Sequence, residues 1–225
     1  MSDLDIFIDE SGGVGSNSEF YLITLALHDQ AYPVMQQASR LSERLAHIGL
    51  APDMAVHSGP IVRKEEDWHA ADLTTRRRVF FAMFDFVRHC GISYKTFAVR
   101  KSECADRFAL RGRLANEMGM FLRDNLSFFQ GFDKVIVYYD NGQALVTDLI
   151  NTVLCAYLSR VDARKIVPRD YRLSQAADML CTIELMGQKA DRSCLSRSEE
   201  VFFGSRRSLV KSYLRPMERL SFRET

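Results

Sequence analysis

The sequence predicts an α/β domain, and three observations carry that expectation. Short apolar runs rich in β-branched and aromatic residues, at 4–8, 20–28 and 134–140, read as buried strands. Between them lie longer stretches in which apolar residues recur at three- and four-residue spacing, as helices require. A chain of 225 residues that is 47% hydrophobic and 26% charged also carries enough apolar side chain for a sizeable core. That excludes a disordered or fibrous protein.

In chain order, LDIFI (4–8) is a strand closed by Asp9-Glu10-Ser11-Gly12-Gly13, a turn of permissive residues. FYLITLALH (20–28) is its hairpin partner across a wide loop containing Gly12, Gly13 and Gly15. Residues 33–48 place Val34, Ala38, Leu41, Leu45 and Ile48 on one helical face that Gly49 ends. Residues 51–72 lose periodicity and read as a long, functional type of loop. Thr74 or Thr75 caps a helix to Cys90, with Arg76-Arg77-Arg78 as its exposed first turn and Gly91 as its stop. A strand at 93–100 and a helix at 109–129 precede KVIVYYD (134–140), the clearest buried strand. Asn141-Gly142 turns into a helix at 144–159, Lys165-Ile166-Val167 is a short strand, and Ser174 caps a helix through Leu185. The expected organisation is a domain over 1–200 with a basic C-terminal extension at 201–225 packed on it.

Two of these strands run into acid, Asp9 and Glu10 after the first and Asp140 after the fourth. Strand ends at a sheet rim are where α/β proteins build sites, although Asp also forms turns. A third acid, Asp178, stands among Ala176, Ala177, Met179, Leu180 and Cys181, where an unpartnered carboxylate is costly. Its partner is either a divalent cation or an arginine such as Arg169 or Arg172. Oxygen-only ligands of this kind favour Mg²⁺ or Mn²⁺ over zinc.

FIDESG after the first strand, Val56-His57-Ser58 in the central segment, VIVYYD, and SQAADML on a late helix together resemble the DUF3800 family. The resemblance runs over 5–184 and implies a ribonuclease H-like fold, a mixed sheet flanked by helices. It also implies a metal-dependent nuclease or phosphodiesterase, with Asp9, Asp140 and Asp178 holding the metal and Glu10 as a further acid. Two such ions activate a water and stabilise the leaving oxygen of a phosphodiester. One departure stands out. The family's central segment carries a pair such as Glu-x-His, and here Ala55 precedes His57 by two, so Glu10 or Asp53 must supply any fourth carboxylate. His57 is a candidate proton shuttle, or else a hydrogen-bonded surface residue. Ser11 and Gln175 are candidates for positioning substrate.

Arg207, Lys211, Arg215, Arg219 and Arg223 recur every four residues, which on a helix makes a basic stripe able to meet phosphates or simply to face solvent. Pro216 argues against one unbroken helix. With a net charge of +1 there is no global field for nucleic acid, so nucleic-acid contact has to be local. The alternative function is a catalytically silent ribonuclease H-like binding module, as in a phage-defence or toxin-like system. Haloacid-dehalogenase chemistry fails because Ser11 stands where the second Asp is needed. SGGVGSN lacks the Lys-Ser/Thr of a phosphate loop, and a GxSxG elbow is absent. Phe80, Phe81, Phe84 and Phe86 leave room for a homodimer seam. Five scattered cysteines, no leader-like N-terminus and no apolar run near the roughly 18 residues of a membrane span lead us to expect a cytoplasmic protein.

Overall fold

The computed structural model describes residues 1–13, 18–140 and 144–223; Gly15 and the Asn141-Gly142 turn lie outside them. Strand β1 (Leu4–Ser11) pairs antiparallel with β2 (Phe20–Asp29), and β2 with β3 (Ile92–Arg100). On its other side β1 pairs in parallel with β4 (Val135–Tyr139), which pairs in parallel with β5 (Val161–Lys165). The order is β3-β2-β1-β4-β5, a mixed sheet flanked by helices, as the resemblance implied.

Alternation along the strands supplies two cores. Phe7, Phe20, Leu22, Ala26, Ile136 and Tyr138 face one layer, formed by α1 (Met35–Ile48), α3 (Leu73–His89) and α8 (Arg172–Asp191). Ile6, Ile8, Ile23, Leu25, Val137 and Tyr139 face the other, formed chiefly by α4 (Arg107–Asp124) and by α6 (Ala144–Leu149) with its continuation. Helix α8 is buried on nearly every side, as its apolar composition requires. The chain ends with α9 (Arg197–Phe203), α10 (Arg206–Leu209), a π turn (Val210–Leu214) and α11 (Arg215–Glu218). Phe80 lies 5.1 Å from Phe202 and 5.5 Å from Tyr213, so this segment covers α3 with an aromatic box. The backbone of Leu220 and Phe222 then bonds Tyr94 on the outer side of β3.

Several expectations need correction. β1 continues through Ser11 because Asp9, Glu10 and Ser11 find register partners in Thr24, Ile23 and Leu22. Its turn begins at Gly12, where φ is +86° and an added Cβ would stand 2.0 Å from the Phe20 carbonyl oxygen. The aperiodic stretch holds α2 (Ser58–Arg63) and a 3₁₀ turn at Glu66–Trp68. Helix α3 is capped by Asp72, whose carboxylate accepts from the Thr75 amide at 2.9 Å. Arg76 is buried rather than exposed. The expected helix at 109–129 is two, α4 and α5 (Leu126–Gln130), because the Asn125 side chain donates from Nδ2 to the Phe121 carbonyl at 2.8 Å and closes the first.

The fifth strand lies earlier than expected, at Val161–Lys165. After α6 comes a π turn (Ile150–Leu154) and α7 (Cys155–Tyr157). Helix α8 starts at Arg172, so Ser174 sits inside it rather than capping it. Pro216 does not break the terminal helix, because the π turn before it reroutes the hydrogen bonds that the ring would have cost. Phe80, Phe84 and Phe86 are core residues and Phe81 alone of that group is exposed, which removes the basis for a seam on α3.

Candidate active site

The pleat of β1 decides which acids can meet. Ile6 and Ile8 face α4 and Phe7 faces α8, so alternation places Asp9 and Ser11 on the α8 side and turns Glu10 away. On β4, Ile136 and Tyr138 face α8, and Asp140, one residue beyond the strand, follows them. Ile8 pairs with Tyr139 in parallel register, which sets Asp9 beside Asp140 at the carboxyl ends of both strands. Helix α8 packs across this face and supplies Asp178 and Cys181, one turn apart.

Asp178 is held from the opposite side. Val56 and Ser58 are two apart in extended backbone, so their amides point the same way. They meet Gln175 and Asp178, one helical turn apart on α8: the Val56 amide donates to Gln175 Oε1 at 3.2 Å and the Ser58 amide to Asp178 Oδ2 at 2.7 Å. His57, between them, is left pointing outward and is exposed at the start of α2. Gln175 is fully buried and its amide also donates to the Arg169 carbonyl at 3.0 Å. That corrects its candidacy for substrate: it clamps the central segment onto α8. Arg172 bonds the carbonyls of Met54 and Pro52, each at 2.7 Å, so the salt bridge that would have explained Asp178 does not form. Asp53 is exposed beside Arg172, away from the other acids.

The electrostatics follow from this crowding. Burial lifts the Asp9 carboxyl well above the usual carboxylate range, and the like charges of Asp178, Glu10 and Asp140 push it the same way. Asp178 is raised chiefly by burial, while the Ser58 amide and the charges of His57 and Arg63 pull it back. Cys181 is raised by burial and by Asp9, with Thr24 and Ser11 as hydrogen-bond partners. Glu10 accepts from the Tyr21 hydroxyl at 3.0 Å on the α4 side, so it acts on Asp9 through space from behind the sheet.

A cleft of about 820 Å³ opens beside Glu10, Ser11 and Asp178, with Arg63, Thr182 and Lys189 in its wall. Asp9 and Asp140 stand outside that wall. Lys189 is neutralised by Glu199 at 2.6 Å. Arg63, which the sequence analysis did not single out, lies over Gly59: a Cβ there would stand 3.0 Å from both terminal guanidinium nitrogens. Its Nε donates to Glu65 at 2.8 Å. The basic residues Arg207, Lys211 and Arg215 line a separate groove on the C-terminal segment. Donor chemistry at Asp9, Asp140 and Asp178 fits a hard divalent cation, because a desolvated carboxylate in like-charged company lacks what such an ion supplies. Among the described residues, however, no group of three His, Cys, Asp or Glu side chains already stands close enough to hold one. No described helix is long and apolar enough to cross a membrane.

No family model matches the chain, and no curated protein matches it. Among solved structures it is similar to the crystal structure of ribonuclease H2 from Pyrococcus horikoshii OT3, with 14% identity and a TM-score of 0.40 over 96% of this chain and 98% of that one. It is also similar to the PCNA:RNase HII complex from Archaeoglobus fulgidus, with 13% identity and a TM-score of 0.38 over 100% of this chain and 98% of that one. Likenesses this loose assign no residue and no reaction.

Proposed function

We propose that this protein is a divalent-metal-dependent nuclease of the DUF3800 type, hydrolysing nucleic-acid phosphodiester bonds with Asp9, Asp140 and Asp178 as ligands of Mg²⁺ or Mn²⁺. The observation that carries the reading is the Asp9 carboxyl, desolvated at the end of the central strand and pushed further by three neighbouring acids. A core residue selected for packing would not be an acid there, and a cation converts each of those repulsions into a ligand.

The chemistry that a bound Mg²⁺ or Mn²⁺ supplies is polarisation of a phosphoryl oxygen and a lower proton affinity for a water. The remaining work falls to the chain. The Ser58 amide fixes Asp178, leaving its other oxygen free of that bond. Arg63, in the cleft wall, offers a forked donor to a non-bridging phosphate oxygen. Exposed His57 carries a proton to or from solvent at the mouth. Glu10 and Gln175 act from behind, by field and by bracing.

The test is calorimetric titration of Mn²⁺ into the wild type and into Asp9→Asn, Asp140→Asn and Asp178→Asn, with circular dichroism as the check on folding. Saturable binding that each substitution weakens by about tenfold or more, in step with loss of cleavage, is the expected result. Equal Mn²⁺ affinity in all four proteins overturns the assignment and leaves the silent binding module.

A further inference from the structure

The C-terminal segment is two-faced, and its two faces are spelled in the same period. Leu209, Tyr213 and Met217 recur every four residues and face inward: Leu209 and Met217 are fully buried and Tyr213 packs against Phe84 at 5.0 Å. Arg207, Lys211 and Arg215 follow the same period two residues out of phase and are exposed. In an unbroken α-helix a four-residue step overshoots one turn by about 40°, so both series would wind around the helix. The π turn at Val210–Leu214 takes more residues per turn, and its four-residue step falls short instead. The two drifts oppose each other, and the three cations stay aligned along one groove of about 410 Å³ with Arg206 and Val210.

Among the described residues no acid neutralises them. Arg206 is taken by Asp191, but among the described residues Arg207, Lys211 and Arg215 have no ion-pair partner. Glu218, which in sequence interrupts the stripe, is exposed and acts electrostatically on half-buried Glu184. Like charges stacked at four-residue spacing cost stability, and an anion along the groove relieves that cost. From Arg207 to Arg215 the helix climbs about 12 Å. One strand of a duplex carries a phosphate about every 3.4 Å of axis, so three or so phosphates span the same length.

We propose that this groove is a second nucleic-acid contact, separate from the acidic cleft, which holds consecutive phosphates of one duplex strand. It rests on the nuclease reading for the identity of the polymer, although its geometry is independent of the acids. The test is fluorescence anisotropy of a short labelled DNA duplex and of a DNA·RNA hybrid across a NaCl series in EDTA, where no cleavage occurs. Wild type is compared with the triple variant Arg207→Gln/Lys211→Gln/Arg215→Gln, whose substitutions are all at exposed positions, with circular dichroism confirming the fold. The expected result is a salt slope of log K that is shallower by about 2 to 3 in the triple variant.

An unchanged slope, or no binding of either duplex by the wild type, overturns the proposal. So does binding to phosphatidylserine vesicles that the triple variant loses while its duplex slope stays as in the wild type, which would make the groove a lipid contact. The two readings fail separately. A chain that binds no Mn²⁺ but shows the slope change keeps the groove and loses the nuclease; one that cleaves without the slope change does the reverse.

Discussion

Arg63 illustrates what a single side chain can add to a site made of acids. It lies over Gly59 in the cleft wall and its charge already acts on Asp178. Arg63→Gln is expected to lower the single-turnover cleavage rate by roughly ten- to a hundredfold while Mn²⁺ binding is retained, since one charge-assisted hydrogen bond is worth about 1.5–3 kcal/mol. Gly59→Ala, by crowding the guanidinium, should give a milder version of the same loss. An unchanged rate in Arg63→Gln would remove it from the mechanism. Arg63 escaped the sequence analysis because a six-residue helix is too short to leave a periodic signal. Asp9, Asp140 and Asp178 stood out as candidates in the sequence, since acids where apolar residues belong announce themselves. Glu10 borders the cleft, but strand alternation, had β1 been seen to continue past Ile8, points its carboxylate to the face where the Tyr21 hydroxyl bonds it.

The element on which the site leans is α2, too short to stand by itself. Its closing carbonyls are held by a buried arginine: Arg76 Nη1 donates to Ile61 at 2.7 Å and to Val62 at 3.2 Å, and the guanidinium lies 5.6 Å from the centre of the Phe202 ring. Arg76→Met keeps the apolar stem and deletes the donor, leaving two buried carbonyls short of a partner. A loss of about 2–3 kcal/mol in urea unfolding is expected, together with weaker Mn²⁺ binding through the Ser58 amide at the other end of α2. Unfolding free energy equal to wild type would contradict this account. Three consecutive arginines look like surface, and the ring that covers one of them arrives from α9, far along the chain. The split at Asn125 was equally hidden, because no Gly or Pro marks it. By contrast α1, with its apolar stripe and Gly49 at φ +89°, was readable end to end.

At the scale of the whole molecule, α8, β3 and the C-terminal segment meet at Glu184, which accepts from the Tyr94 hydroxyl at 2.6 Å. Burial and the charge of Glu218 raise its pKa. The folded state therefore favours the protonated acid. Its contribution to stability is complete below the unfolded value of about 4.3 and is lost as pH rises through the raised folded value. Glu184→Gln keeps an acceptor for Tyr94 and carries no charge, so its melting temperature should match wild type near about pH 4 and exceed it increasingly toward about pH 8. A gap that does not change with pH would refute the role of charge at this position. The sheet's central strands were readable from their apolar alternation, whereas β5 was not: VDARK is a polar edge strand, and the apolar pair Ile166-Val167 just beyond it looked more like one. Strand order was not legible, since no single run of residues encodes which strand lies beside which. That order has a consequence for how the protein is made. The middle strand of the sheet is made before the other four, and its parallel neighbour β4 follows only after β2, β3 and the helices between them. Asp9 must wait longer still for α8 to bring Asp178. A nascent or truncated chain lacking α8 thus carries the first acid without the last, so any activity has to wait for that helix to be made.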